Sequence, residues 1–289
     1  MPLPLALIVP LMAQVGPGTA LPQAPLEIHH RQRTSAPTAA TASLAPAETR
    51  LTGTRLTDCL ALARSDATAA VAEAERWRSG LAGSARAEPA HCLGLALSNL
   101  GRWSEAETAL REARDATPDH DRANRAMRGA MAGNAALAAG AAQRALTALD
   151  LAQIDARTAR LIPLSGEIAI DRARALVALG RVDEADAALA QARVDAPSNP
   201  QGWLLSATLA RRQKRLGEAQ SEIEQAAKLL PTDPEIALEA GVIAILGGRD
   251  AAARKSWASV IAVAPASQFA KTAQSYLDQL GPTPAPSPP

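Results

Sequence analysis

The feature that most constrains this chain is a recurring spacing of small residues. Counting residue 87 as position one, Gly94, Gly101, Ala106, Ala109, Leu110, Ala113 and Pro118 fall at positions 8, 15, 20, 23, 24, 27 and 32. Counting from Pro234, the residues Gly241, Gly248, Ala253, Ser256, Trp257, Val260 and Pro265 fall at the same positions. A third copy starts at Pro200 and places Trp203, Ala207, Ala219, Glu222, Ile223, Ala226 and Pro231 at 4, 8, 20, 23, 24, 27 and 32, so the step from 200 to 234 is 34 residues. A fixed period of this length marks an architecture of stacked units, none of which buries its apolar face alone.

Elementary packing explains the pattern. Two antiparallel helices need small side chains where their backbones come closest, which fits positions 8, 20 and 27. Gly at 15 ends the first helix in the left-handed conformation, and Pro at 32 ends the second. The turns Leu-Gly-Arg-Trp-Ser-Glu-Ala (100–106) and Leu-Gly-Arg-Val-Asp-Glu-Ala (179–185) leave Ser104 and Asp183 as expected N-caps. Fainter copies follow Gly180, Ala185, Ala188, Leu189, Ala192 and Pro197, then Gly133, Gly140, Ala145, Ala148, Leu149 and Ala152, and finally Ala70, Ala74 and Trp77. Extra residues at Ala85–Arg86, Asp121–Arg125 and Arg160–Ser165 are expected to lengthen turns or helix ends.

Composition agrees. Apolar residues make up 47% of the chain but aromatics only 2%, so the core must come from Ala, Leu, Val and Ile. That suits closely packed helices and suits strands poorly.

The spacing resembles the tetratricopeptide repeat, a helix–turn–helix unit of this period with small residues at 8, 20 and 27 and Pro near 32. The resemblance covers 51–280. It implies an all-α, right-handed superhelical solenoid with repeats near 51–84, 87–120, 126–159, 166–199, 200–233 and 234–267. Residues 268–280 read as a capping helix, with Phe269, Ala273, Tyr276 and Leu277 on one face.

Outside the repeats, Met1 to Met12 is apolar and too short to span a bilayer. Residues 1–20 are expected to be a signal peptide with Ala13 or Ala20 before the cleavage point, although no Lys or Arg precedes the apolar run. A periplasmic or secreted location follows, with the cytoplasm as the alternative. Residues 21–50 read as a disordered linker rich in Pro, Ala and Thr, and 281–289 as a Pro-rich tail.

Catalytic signatures are absent from the sequence. There is no phosphate-binding Gly-Lys loop, no His-Glu-x-x-His, no Gly-x-Ser-x-Gly and no Cys-x-x-Cys. No enzyme activity, cofactor or metal is expected. The formal net charge of +1 gives no bulk reason to expect nucleic acid as a partner. The two cysteines, Cys59 and Cys92, fall in first helices of adjacent repeats; with export, a disulfide between them is expected, and two buried thiols are the alternative. The four Trp are expected in core or turn packing.

In tetratricopeptide repeats, positions 2, 5, 9, 12 and 13 of each first helix line the concave face. The resemblance therefore implies a groove with His91, Asn99, Asn134, Arg174, Thr208, Arg211 and Arg212, with Leu95, Leu137, Ile170, Leu204 and Ile245 between them. Arg and Asn can hold a carboxylate or an extended backbone. The set departs from the family's carboxylate clamp of Lys and Asn. The expected function is a non-catalytic scaffold that binds a protein or peptide segment, in the cell envelope. The alternatives are a self-associating structural protein and an accessory subunit of an enzyme complex. In a plainer reading, the arginines only keep an open surface soluble.

Overall fold

The computed structural model describes residues 47–281, with side chains from 55 onward. The expected signal peptide, nearly all of the expected linker and the tail beyond Gly281 lie outside the described residues. From Arg50 the chain forms one unit.

Six helix pairs follow one another. They are α1 (Ala47–Ser65) with α2 (Ala67–Arg78), α3 (Ala87–Asn99) with α4 (Trp103–Ala116), and α5 (Arg122–Ala138) with α6 (Ala142–Thr158). Next come α7 (Ile162–Ala178) with α8 (Val182–Asp195), α9 (Pro200–Arg212) with α10 (Leu216–Leu229), and α11 (Pro234–Leu246) with α12 (Asp250–Val263). A last helix, α13 (Gln268–Leu280), closes the stack. No strand occurs among the described residues. The extra residues noted in the sequence enter helices: Arg122–Arg125 start α5, Ile162–Ser165 start α7, and a 3-10 turn covers Gly83–Arg86.

The close approaches fall where the small residues are. A Cβ on Gly133 would lie 2.5 Å from Leu149 Cγ, and one on Gly94 would lie 2.4 Å from Leu110 Cγ. At Gly241 the neighbour is Trp257, whose indole sits over the glycine and donates to Leu238 O at 3.2 Å. Ala106, Ala145, Ala185, Ala219 and Ala253, all at position 20, are fully buried. The face of α13 with Phe269, Ala273, Tyr276 and Leu277 packs on Trp257 and Val260, so the last pair is capped.

Each turn within a pair, from α3–α4 onward, uses the same backbone device. Gly101 N donates to Ser98 O and Arg102 N to Leu97 O, and the pattern recurs at Gly140, Gly180, Lys214 and Gly248. The residue that completes this device is itself the N-cap of the next helix, which leaves no place for the expected caps. α4 and α8 begin at Trp103 and Val182, so Ser104 and Asp183 lie inside the first turn and no side chain caps either helix. Arg102 and Arg181, at the N-cap positions, instead reach forward to Glu105 and Glu184 with Nε–Oε1 distances of 2.7 Å. Side-chain caps occur elsewhere. Asp121, Asn199, Asp233 and Ser267 cap the helices that follow turns between repeats, and Asp66 caps α2.

Ion pairs tie neighbouring second helices together. Glu107 on α4 receives Arg144 on α6 at 2.9 Å, and Asp186 on α8 receives Arg215 at 2.9 Å. Cys59 on α1 and Cys92 on α3 are joined by a disulfide, with Cα atoms 6.0 Å apart.

Candidate functional site

Successive first helices touch one another: α5 with α7, α7 with α9, α9 with α11, and α11 with α13. Among the described residues, no two second helices pack as extensively. The first helices therefore run along the shorter, inner arc of the stack, and their solvent-facing positions form its concave side.

A polar chain crosses three of them. Arg174 on α7 donates from Nη1 to Asp171 Oδ1 and from Nη2 to Gln201 Oε1 on α9 at 3.3 Å. Gln201 bonds to Glu235 on α11. Burial raises the Glu235 pKa, Asp233 adds to the rise, and Arg174 opposes it. One helix turn further on, Arg211 grips Glu239 with two bonds, Nε–Oε1 at 2.6 Å and Nη2–Oε2 at 3.2 Å. Thr208 lies between these pairs on α9 and is half-buried. Arg212 is exposed and carries no ion pair among the described residues.

The structure thus brings Arg174, Thr208 and Arg211 into one wall, with Arg212 on its rim. It separates the other expected residues from them. Asn99 donates to Ala63 O at 2.8 Å and so ties α3 to α1. Asn134 is half-buried on α5 and its Oδ1 has no hydrogen-bond partner. Ile170 and Leu204, expected between the polar groove residues, are buried in the core. His91 departs from its expected place: it is 6% exposed, and its Nδ1 has no partner. Burial, assisted by the nearby Arg128 cation, lowers its pKa to about 4, so the ring is neutral at pH 7. The ring is buried beside Arg128 of α5, a neighbour from the next repeat.

The sequence reading missed the partners of the arginines. Gln201 and Glu235, like Glu88 and Glu167, stand at position 2 of their repeats. That recurrence of polar residues was visible in the sequence, and at Gln201 it marks where an arginine of the preceding first helix is answered. The consequence is chemical. Arg174 and Arg211 are already neutralised from within, so the wall offers paired donors and acceptors more than bare positive charge. The same helices carry half-buried aliphatics: Leu205 on α9 packs on Ala169, Ile170 and Ala192, and Leu238, Val242 and Ile245 on α11 pack on the Trp257 cluster. Among the described residues, no cluster of His, Cys, Asp and Glu could hold a metal ion, and no helix is long and apolar enough to cross a membrane.

No protein-family model matches the chain, and no curated protein sequence matches it. Solved structures do. PilW, a type IV pilus biogenesis factor, superposes with a TM-score of 0.63 at 16% identity, over 78% of this chain and 99% of that one. PilF of Pseudomonas aeruginosa gives 0.64 at 13% identity, over 80% and 100%. A thermophilic tetratricopeptide-repeat protein of Thermus thermophilus, TTC0263, gives 0.52 at 22% identity, over 65% and 97%. At these identities the likeness is one of fold: the chain is an all-α solenoid of the tetratricopeptide-repeat kind.

Proposed function

We propose that this chain is a non-catalytic scaffold whose concave face binds an extended or helical segment of another protein. The observation that carries the reading is the wall across α7, α9 and α11. Its ordered donors and acceptors (Arg174, Gln201, Glu235, Arg211, Glu239) share helices with half-buried aliphatics, which suits a peptide backbone that carries both polar and apolar side chains. The preformed ion pairs hold the side chains in place before binding, which lowers the ordering cost of association. Arg174, Thr208, Arg211 and Arg212 are the contact residues in this reading, with Asn134 further along the same face.

We place the protein in the cell envelope. The Cys59–Cys92 disulfide is a bond of oxidising compartments, the apolar N-terminus reads as an export signal, and PilW, which shares the fold, is a pilus biogenesis factor.

The test is a steric plug. Thr208→Trp fills the groove, and Ser221→Trp places the same bulk on the exposed outer side of α10 in the same repeat. Partner protein recovered from the source cell with tagged wild type is expected to be lost with Thr208→Trp and retained with Ser221→Trp. Equal recovery with both variants contradicts the reading.

A further inference from the structure

We propose that the turn joining α9 and α10 is a second docking surface, on the rim of the groove, for an acidic stretch of a protein partner. The turn carries Arg211-Arg212-Gln213-Lys214-Arg215, four cations in five residues. Three carboxylates answer two of them: Glu239 pairs with Arg211, while Asp186 and Glu218 pair with Arg215. Arg212 and Lys214 are both exposed, and their side chains have no ion pair or hydrogen bond among the described residues. At the next turn Arg249 is exposed too and donates to Gln220 of α10, so its charge also lacks a carboxylate partner.

The backbone also bears on this turn. Lys214 has φ 62°, in the left-handed region, where the equivalent residues of four other turns are Gly101, Gly140, Gly180 and Gly248 with φ 69–72°. A side chain with a Cβ is strained there, which is why glycine fills the place in the other four turns. A Cβ built at Gly140, Gly180 or Gly248 meets no atom within 4 Å, so the position projects a side chain into open solvent. The chain therefore holds an exposed lysine at a strained position, with no ion pair to its ammonium among the described residues. Arg160, exposed after α6 with φ 57°, shares this conformation, so strain alone does not mark the turn; what sets Lys214 apart is that its strained position lies among Arg211, Arg212 and Arg215.

The occupant follows from charge. A duplex needs a row of phosphate contacts to hold a protein, and a rim with two or three free cations on a chain of net charge +1 does not supply one. An acidic protein segment needs only one or two charge-assisted bonds beside the apolar contacts of the groove. This inference rests on the protein-binding reading above, but its test is separate from the plug at Thr208.

The probe is a short fluorescein-labelled peptide of alternating glutamate and serine, read by anisotropy at low ionic strength, with a glutamine-for-glutamate peptide and a DNA strand of equal charge alongside. Wild type is expected to bind the glutamate peptide better than either. The double variant R212E/K214E is expected to weaken that binding by about tenfold or more while leaving the helical signal intact. K214G is expected to weaken it too, yet to raise Tm by about 2–4 °C by relieving the strain. R160G is the control: among the described residues Arg160 is the other residue outside glycine with positive φ, at 57°, but it lies in the turn after α6, and its replacement should stabilise without touching peptide binding. Unchanged affinity in R212E/K214E overturns the proposal, as does loss of binding in R160G equal to that in K214G. Tighter binding of the DNA strand than of the peptide overturns the assignment to an acidic protein.

Discussion

The Asp155 carboxylate, 1% exposed on α6, accepts a hydrogen bond from Arg114 Nη2 on α4 at 2.9 Å. Its other oxygen accepts from Arg122 Nη1 at 2.7 Å, and Arg125 Nε lies 3.5 Å away. One buried carboxylate therefore joins three consecutive helices where the repeats are longest. Arg114 and Arg125 are themselves nearly buried, at 10% and 12% side-chain exposure. Asp155→Ala strips these cations of their buried counter-ion, which costs about 3–5 kcal/mol. Urea denaturation of the purified variant checks this, and a loss below about 1 kcal/mol contradicts it.

Stability should carry two opposed pH slopes. His91 takes up a proton near its ordinary 6.5 when unfolded but only at about 4 when folded, so it destabilises the fold as pH drops from 6.5 to 4. Glu222 behaves in the opposite sense. It is 5% exposed and one carboxylate oxygen lacks a partner; burial outweighs Arg193 at 2.9 Å and raises its pKa from 4.5 to about 7. The folded chain keeps that proton where the unfolded chain has released it, so stability falls as pH rises from 4.5 to 7. Each slope amounts to roughly 3 kcal/mol at most. Between pH 4.5 and 6.5 they cancel in the wild type. His91→Leu is expected to leave stability falling with pH in that window, and Glu222→Gln to leave it rising. Parallel slopes in the two variants contradict the assignment.

The glycines at close approaches should differ in cost. At Gly133 the blocking atoms belong to the Leu149 side chain, which can turn aside. At Gly166 an added Cβ would meet Ala196 N at 2.8 Å and Asp195 C at 3.1 Å, which are backbone atoms. Gly166→Ala is expected to cost more than Gly133→Ala, both within about 1–3 kcal/mol. Paired thermal melts read the order, and the reverse order contradicts it.

Cys59 and Cys92 are 33 residues apart, and closing a loop of that length removes about 4 kcal/mol of chain entropy from the unfolded state. Contacts in a solenoid are between neighbours, so the effect should be local. Reduction, or the variant C59S/C92S, is expected to speed amide hydrogen exchange in α1 and α2 and to leave α9 to α12 unchanged. Uniform exchange along the chain contradicts this.

The parts legible in the sequence were those that depend on spacing within one repeat. Gly94, Ala106 and Ala113 announce a helix hairpin because backbone approach tolerates no larger residue there. The parts that escaped depend on residues from separate repeats meeting. Nothing local in the sequence marks Asp155 as the centre of three arginines, since its partners lie 30 to 41 residues away. His91 stands at a groove position yet is buried, beside Arg128 from the next repeat, and its own repeat does not announce that neighbour. Arg211 was legible as a groove residue, but its grip on Glu239 was not, and that pairing changes a bare cation into half of a polar pair. Ser104 and Asp183 failed as caps because each helix begins at the residue after Arg, which puts the N-cap two residues earlier, at Arg102 and Arg181.

The central claim is that the inner face of the solenoid, and not its outer face, engages a protein partner. The most direct measurement places a photo-cross-linking amino acid at Thr208 in one variant and at Ser221 in another, with irradiation in the source cell and mass spectrometry of the adducts. A discrete cross-linked protein from Thr208 that is absent from Ser221 is the expected result. The same adducts from both positions, or adducts from Ser221 alone, contradict it.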